Sequence, residues 1–140
     1  MIVPSSAVSW AAPKPANLRQ PAHPTLEASL SLNQAEDDLD NGQYAKAIGR
    51  FQKLIRQAEA LKDERQAERA REGIAKAYFL QGQPEIAARL FEQQVARQRA
   101  KQETPILSLL LHHLASAYYQ VKQYSKAEHA LREAIAAIST

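Results

Sequence analysis

The sequence predicts an all-α protein of three antiparallel helix pairs stacked in an array, and three observations carry the prediction. Apolar residues recur at spacings of three and four, the period of a helix. Over residues 111–135 they form two stripes, Leu111, Leu114, Ala115 and Tyr118, then Tyr124, Ala127, Leu131, Ala134 and Ile135. The pattern returns 40 positions earlier as Arg71, Ile74, Ala75 and Tyr78, then Ala87, Phe91 and Val95. It returns again, more faintly, as Ser31, Gln34, Ala35 and Asp38, then Ala47, Phe51 and Ile55. Lastly, Gln43, Gln83 and Gln123 share one slot in the break between stripes, so the three turns should superpose. A fixed period of this length is the mark of stacked helix–turn–helix units.

Taken in order, residues 1–25 hold five of the seven prolines and no acidic residue. Proline breaks helices and favours extended chain, so this stretch reads as a flexible tail. It contains the one tryptophan, Trp10, beside Val8. Two other readings of the tail are the end of a truncated signal peptide over residues 1–11, and a fold-back of Val8 and Trp10 onto the helical array. Export would follow from the first. The lack of a preceding basic segment and the short apolar stretch favour the cytoplasm. The helical domain is expected over 26–140, with repeats at about 28–62, 64–101 and 104–138. Its first helix should start at Thr25 or Leu26, with Thr25 as N-cap, and stop at Asn41-Gly42. The second should run from Tyr44 to Leu61 and the third from Glu64 to Gln81, ended by Gly82. The fourth should open on Pro84, a favoured first helical position. The fifth should open with Thr104 as N-cap before Pro105 and reach Val121, and the sixth should span Tyr124 to Ile138.

Helices that cross closely need small residues at the crossing. Ala35, Ala75 and Ala115 hold one such slot and Ala47, Ala87 and Ala127 the other, with Tyr78, Tyr118, Phe51, Phe91 and Leu131 filling the space between. This pattern resembles the tetratricopeptide repeat (TPR) family. Its signature W-x2-L-G-x2-Y then A-x3-F is matched by R-x2-I-A-x2-Y, Arg71 to Tyr78, with Ala87-x3-Phe91, and by L-x2-L-A-x2-Y, Leu111 to Tyr118, with Ala127-x3-Leu131. Two features depart from the family pattern: the period of 40 exceeds the usual length of about 34, and the closing proline is missing. In these respects the chain is similar to the longer repeats of the kinesin light chain type.

The resemblance implies a right-handed TPR-type α-solenoid. It also implies a non-catalytic scaffold that binds a peptide or helix of a protein partner in the concave groove lined by the first (A) helix of each pair. Mapped onto this chain, the groove would show Leu32, Asn33, Glu36, Leu39 and Asp40, then Arg69, Glu72, Gly73, Lys76, Phe79 and Leu80. The third repeat would add Leu109, His112, His113, Ser116, Tyr119 and Gln120. Leu39, Phe79 and Tyr119 share one slot and are all large, so either a partner, a neighbouring helix or the tail covers them, or they pack between repeats. The family's clamp for acidic chaperone C-termini uses Lys, Asn, Asn, Lys and Arg. The matching positions here are Leu32, Glu36, Gly73, Leu109 and His113, so that partner is rejected. The alternatives are a structural or oligomerisation module, or a fragment of a larger regulatory protein.

Composition narrows the choice further. Beyond the tail, 16 basic residues face 15 acidic ones, which lacks the basic field that nucleic acid requires. There is no cysteine, and the longest apolar run is too short to span a membrane. His112 and His113 are adjacent, so they point to different faces of one helix, and no metal site or cofactor is expected. No phosphate-binding glycine loop or nucleophile elbow appears, so no enzyme activity is expected. The acidic run Glu36, Asp37, Asp38 and Asp40 falls at a helix C-terminus, where the dipole disfavours it, and calls for Lys46, Arg50 or a basic partner. Gly73 lies inside a helix and should admit a close neighbouring backbone or a ligand, whereas Gly49 has no evident reason. In the last helix Leu131, Ile135 and Ile138 form a stripe with no following helix, so either the sequence is part of a longer protein or that edge pairs with another chain, homo-oligomerisation being one outcome.

Overall fold

The computed structural model describes residues 24–139, with side chains from residue 26. Val8, Trp10 and the candidate signal segment lie outside the described residues. Six helices follow one another: α1 (Pro24–Asp40), α2 (Tyr44–Ala60), α3 (Glu64–Leu80), α4 (Pro84–Lys101), α5 (Thr104–Gln120) and α6 (Tyr124–Ser139). Each packs on the next, and α1 also touches α3. The architecture is the expected all-α array of three pairs, with α1, α3 and α5 as A helices and α2, α4 and α6 as B helices.

The turns repeat as closely as the sequence does. Gly42, Gly82 and Lys122 all take positive φ, at 77°, 87° and 65°. Glycine occupies that conformation without cost, and at the third turn a lysine must adopt it. The next residue closes each turn: the amides of Gln43, Gln83 and Gln123 donate to the carbonyls of Asp38, Tyr78 and Tyr118 at 2.8–2.9 Å. Between pairs, Lys62 and Gln102 take the same left-handed conformation, again 40 residues apart.

Two of the expected caps are replaced. Thr104 is already helical, and Glu103 flanks α5 without a side-chain cap bond. Thr25 likewise lies inside a helix that begins at Pro24. At α1 the reason is Pro24, whose fixed φ suits the first helical position. Asp63, which no sequence signal singled out, caps α3 by accepting from the Gln66 amide at 3.3 Å.

The alanine slots are close crossings as expected: Ala35, Ala47, Ala75 and Ala87 have no exposed surface. The core divides into two clusters. One joins Leu32, Ala35, Leu39, Ala47, Phe51 and Leu54 to Ala70 and Ala77 of α3. The other joins Ala87, Phe91 and Val95 to Leu107, Leu110, Leu111, Leu114 and Ala117 of α5, and on to Ala130 and Ala134 of α6. The faint first repeat is therefore sound. Where Ser31, Gln34 and Asp38 fail to supply bulk, Leu32 and Leu39 do so, 1% and 8% exposed. Asp38 instead receives Arg50 Nε at 2.6 Å, which offsets charge at the end of α1. Arg71, standing where the family has an aromatic residue, reaches Glu59 at 2.8 Å and Glu64 at 3.2 Å.

Candidate partner-binding groove

The A-helix side carries two adjoining hollows. The first, about 440 Å³, is lined by Glu36, Leu39, Asp40, Phe51, Arg69, Glu72, Gly73, Lys76 and Leu109. The second, about 330 Å³, is lined by Phe79, His112, Ala115, Ser116, Tyr119, Gln120, Ala127 and Leu131. Of the residues that the sequence maps to the groove, Glu36, Leu39, Asp40, Arg69, Lys76, Phe79, His112, Ser116 and Tyr119 thus line a hollow, whereas His113 lines neither.

The row Leu39, Phe79 and Tyr119 does not behave as a row. Leu39 is buried and forms floor, Phe79 is half-buried against the second core cluster, and Tyr119 is 61% exposed. Leu32, also mapped to the groove, belongs to the core. The reason is position in the array: the first repeat must close its own core with leucines because its signature positions are polar. Tyr119 is held edge-on to Tyr124 of α6, ring centroids 5.2 Å apart, which presents its ring as a fixed apolar wall. Ser116 spends its hydroxyl on the His112 carbonyl one turn back, at 3.2 Å.

The charges in the first hollow are paired loosely. Arg69 reaches Glu36 at 3.4 Å and Lys76 reaches Glu72 at 3.6 Å. The Arg69–Glu36 pair is exposed, and pairs of that kind are worth little, so a ligand can exchange it at small cost. Glu72 has a second contact that the sequence did not reveal. His113 Nε2 lies 3.3 Å from Glu72 Oε2, joining α3 to α5, while the histidine ring stacks on Phe91 at 5.4 Å. Both atoms are shielded from solvent, and the contact lies outside hydrogen-bond geometry. Spacing along the sequence relates residues within one helix, and this pair crosses between repeats.

Gly73 and His113 occupy the same slot one repeat apart and explain the depth of the first hollow. A Cβ at Gly73 would meet ring carbons of Phe51 at 2.3–2.6 Å. Phe51 fills the place a side chain would take, and no atom from position 73 fills the groove above it. In the next repeat His113 occupies that place over Phe91.

The Glu72 contacts predict a pH dependence. Burial pushes its carboxyl up, but the close His113 contact and the Lys76 charge outweigh burial and hold it below the ordinary carboxylate value. A depressed carboxyl stabilises the fold above its unfolded value of about 4.3 and loses that contribution as pH falls through the lower folded value. Replacing Glu72 by Gln is expected to flatten the acid limb of stability below about pH 4.3, measured by urea unfolding at a series of pH values. An unchanged slope would show that the contact does not persist in solution.

On the opposite side, Tyr118 donates its hydroxyl to Glu92, and burial together with that bond pushes the phenol well above its ordinary value. Arg99 bridges α4 to α6 through two bonds to Glu133, at 2.8 and 2.5 Å. These contacts tie the last repeat to the second. The expected edge residues Leu131, Ile135 and Ile138 are 41%, 62% and 67% exposed, and Leu131 reaches the second hollow as well. Among the described residues no helix is long and apolar enough to cross a membrane.

No protein-family model and no curated protein matches the chain. Solved structures do. The TPR domain of Arabidopsis FLU superposes with a TM-score of 0.73 over 83% of this chain and 98% of that one, at 21% identity, a likeness of fold. Two structures of nearly identical TPR-like repeats from a putative kinesin light chain of Podosopora anserina superpose at TM-scores of 0.70 and 0.71, with 27% identity. The likeness covers 84% and 85% of this chain, which spans 57% and 58% of theirs. With six helices in three pairs at a period of 40, the chain is a TPR-type α-solenoid.

Proposed function

We propose that the chain is a non-catalytic scaffold that holds a segment of a partner protein along the groove of α1, α3 and α5. The observation that carries this reading is the pair of adjoining hollows, built from A-helix residues of all three repeats. The fold belongs to a class of repeats used for protein–protein contact, and its curvature sets the A helices along one surface. The first hollow offers an apolar floor of Leu39 and Phe51 under exchangeable charges, Glu36, Asp40, Arg69 and Lys76. The second offers aromatic walls, Phe79 and Tyr119, with His112 and Ser116 at the side. An extended segment or a helix lying across both would bury its apolar side chains and exchange ion pairs at the rim.

The test is capture of partners from native lysate, with identification of what is retained, followed by groove variants against that partner. Because Tyr119 is exposed, Tyr119→Ala should leave the thermal midpoint nearly unchanged. It should cost about 2 kcal/mol of binding, roughly 30-fold, if the residue is a central anchor. Retention of full affinity by Phe79→Ala combined with Tyr119→Ala would place the binding surface elsewhere.

A further inference from the structure

We propose that α6 pairs with α6 of a second copy of this chain, antiparallel and about a twofold axis at Leu131. The chain itself shows that this face is one that a helix covers. Leu131 stands at the register of Phe51 and Phe91, which are 0% and 1% exposed because α3 and α5 lie over them, whereas Leu131 is 41% exposed. Ile135 is 62% exposed where Val95 is 2%, and Ile138 is 67% exposed where Ala58 and Gln98 are 4% and 1%. The face continues the interface that joins each B helix to the next A helix.

Its sequence is self-complementary. Tyr124, Glu128, Leu131, Ile135 and Ile138 follow at alternating steps of four and three, a coiled-coil seam. Tyr124 and Ile138 are each seven residues from Leu131, so an axis there sets Tyr124 of one copy against Ile138 of the other and Leu131 against itself. Glu128, the one charge in the seam, already pairs with Arg132 on its own helix at 2.8 Å. Near its level the second copy presents Ile135, so no like charges meet.

A head-to-tail contact, with α1 of the second copy on α6, is excluded by the other end of the array. Ala77 and Ala117, fully buried against the preceding pair, correspond to Asp37. Docking α1 there would bury a carboxylate in a slot made for a methyl group. Leu26 and Leu30 on the same face do not remove that obstacle. The contact is therefore isologous and closes at two copies. One helix from each copy makes a small interface, below about 1,200 Å², so association should depend on concentration.

Sedimentation velocity of the 140-residue chain across a range of concentrations is the test. The mass should rise from 15.6 kDa towards twice that value. Ile135→Lys with Ile138→Glu, at two exposed positions, should abolish the rise while helicity and thermal midpoint stay unchanged. The chain has no native cysteine, so Leu131→Cys gives a clean readout: oxidation should yield a covalent dimer, and Leu26→Cys should not. A chain that stays monomeric, a dimer that survives the double variant, or a Leu131→Cys chain that forms no covalent dimer on oxidation would overturn the proposal.

Discussion

Phe51→Ala is expected to destabilise the fold by about 3–5 kcal/mol, the cost of removing a buried aromatic ring and leaving its cavity. Phe51 has no exposed surface and joins α1, α2 and α3 in one core. Its tip occupies the space over the Gly73 backbone, so the two residues form one packing unit. Gly73→Ala tests the unit from the other side. On propensity alone alanine should stabilise a helix interior by about 1 kcal/mol. Here the new Cβ would run into the buried Phe51 ring, which must shift out of its packing, and overpacking costs about 1–3 kcal/mol. Net destabilisation is expected. Gly49→Ala is the internal control. It too is a helix-interior glycine, yet a Cβ there would meet nothing within 4 Å, so stability should rise by up to about 1 kcal/mol. Urea unfolding followed by helicity gives all three values. Equal signs for the two glycine substitutions would refute the packing explanation.

These two glycines show where sequence reasoning succeeds and where it stops. The period of 40 sets the helices, and three-and-four spacing sets which face of each is buried, because both follow from local geometry. The slot shared by Gln43, Gln83 and Gln123 proved to be three superposable turns for the same reason. That Gly73 needs a close neighbour was legible; that the neighbour is Phe51 was not, since it comes from the preceding helix. The role of Gly73 differs from that of His113 in the same slot because the rings beneath them, Phe51 and Phe91, are met differently. The contact of His113 with Glu72 was hidden likewise, because the two residues belong to successive repeats. Positions transferred from the better-formed repeats place Leu32 in the groove, and there the transfer fails, because Leu32 is core, whereas Leu39 is both core and the floor of the first hollow. When Ser31, Gln34 and Asp38 cannot fill the core, neighbouring leucines turn into it, and the boundary between groove and core shifts.

Glu68→Ala is expected to cost about 1–3 kcal/mol or more, through the donors it would leave buried rather than through packing. Gln94 and Gln98 of α4 are 5% and 1% exposed, at positions held by Leu54 and Ala58 one repeat earlier. Glu68 of α3 meets both. Its carboxylate accepts from Gln98 Nε2 at 2.5 Å and from Lys101 Nζ at 2.6 Å, and its backbone carbonyl accepts from Gln94 Nε2 at 3.2 Å. The bond to Glu68 also holds the Lys101 ammonium above its ordinary value. Truncating Glu68 keeps the Gln94 bond, which needs only backbone, but strands the Gln98 amide away from water. Gln98→Leu alone has the converse defect, leaving a largely buried carboxylate with Lys101 as its remaining side-chain partner. Replacing both removes acceptor and donor together. Paired removal of buried polar groups is often neutral or stabilising, because desolvation is no longer uncompensated. The double variant should therefore be more stable than either single one and close to the parent, with a coupling energy of about 1–3 kcal/mol in the cycle. Additive losses would mean that Glu68 and Gln98 contribute separately, and the polar contact would then not be what joins α3 to α4.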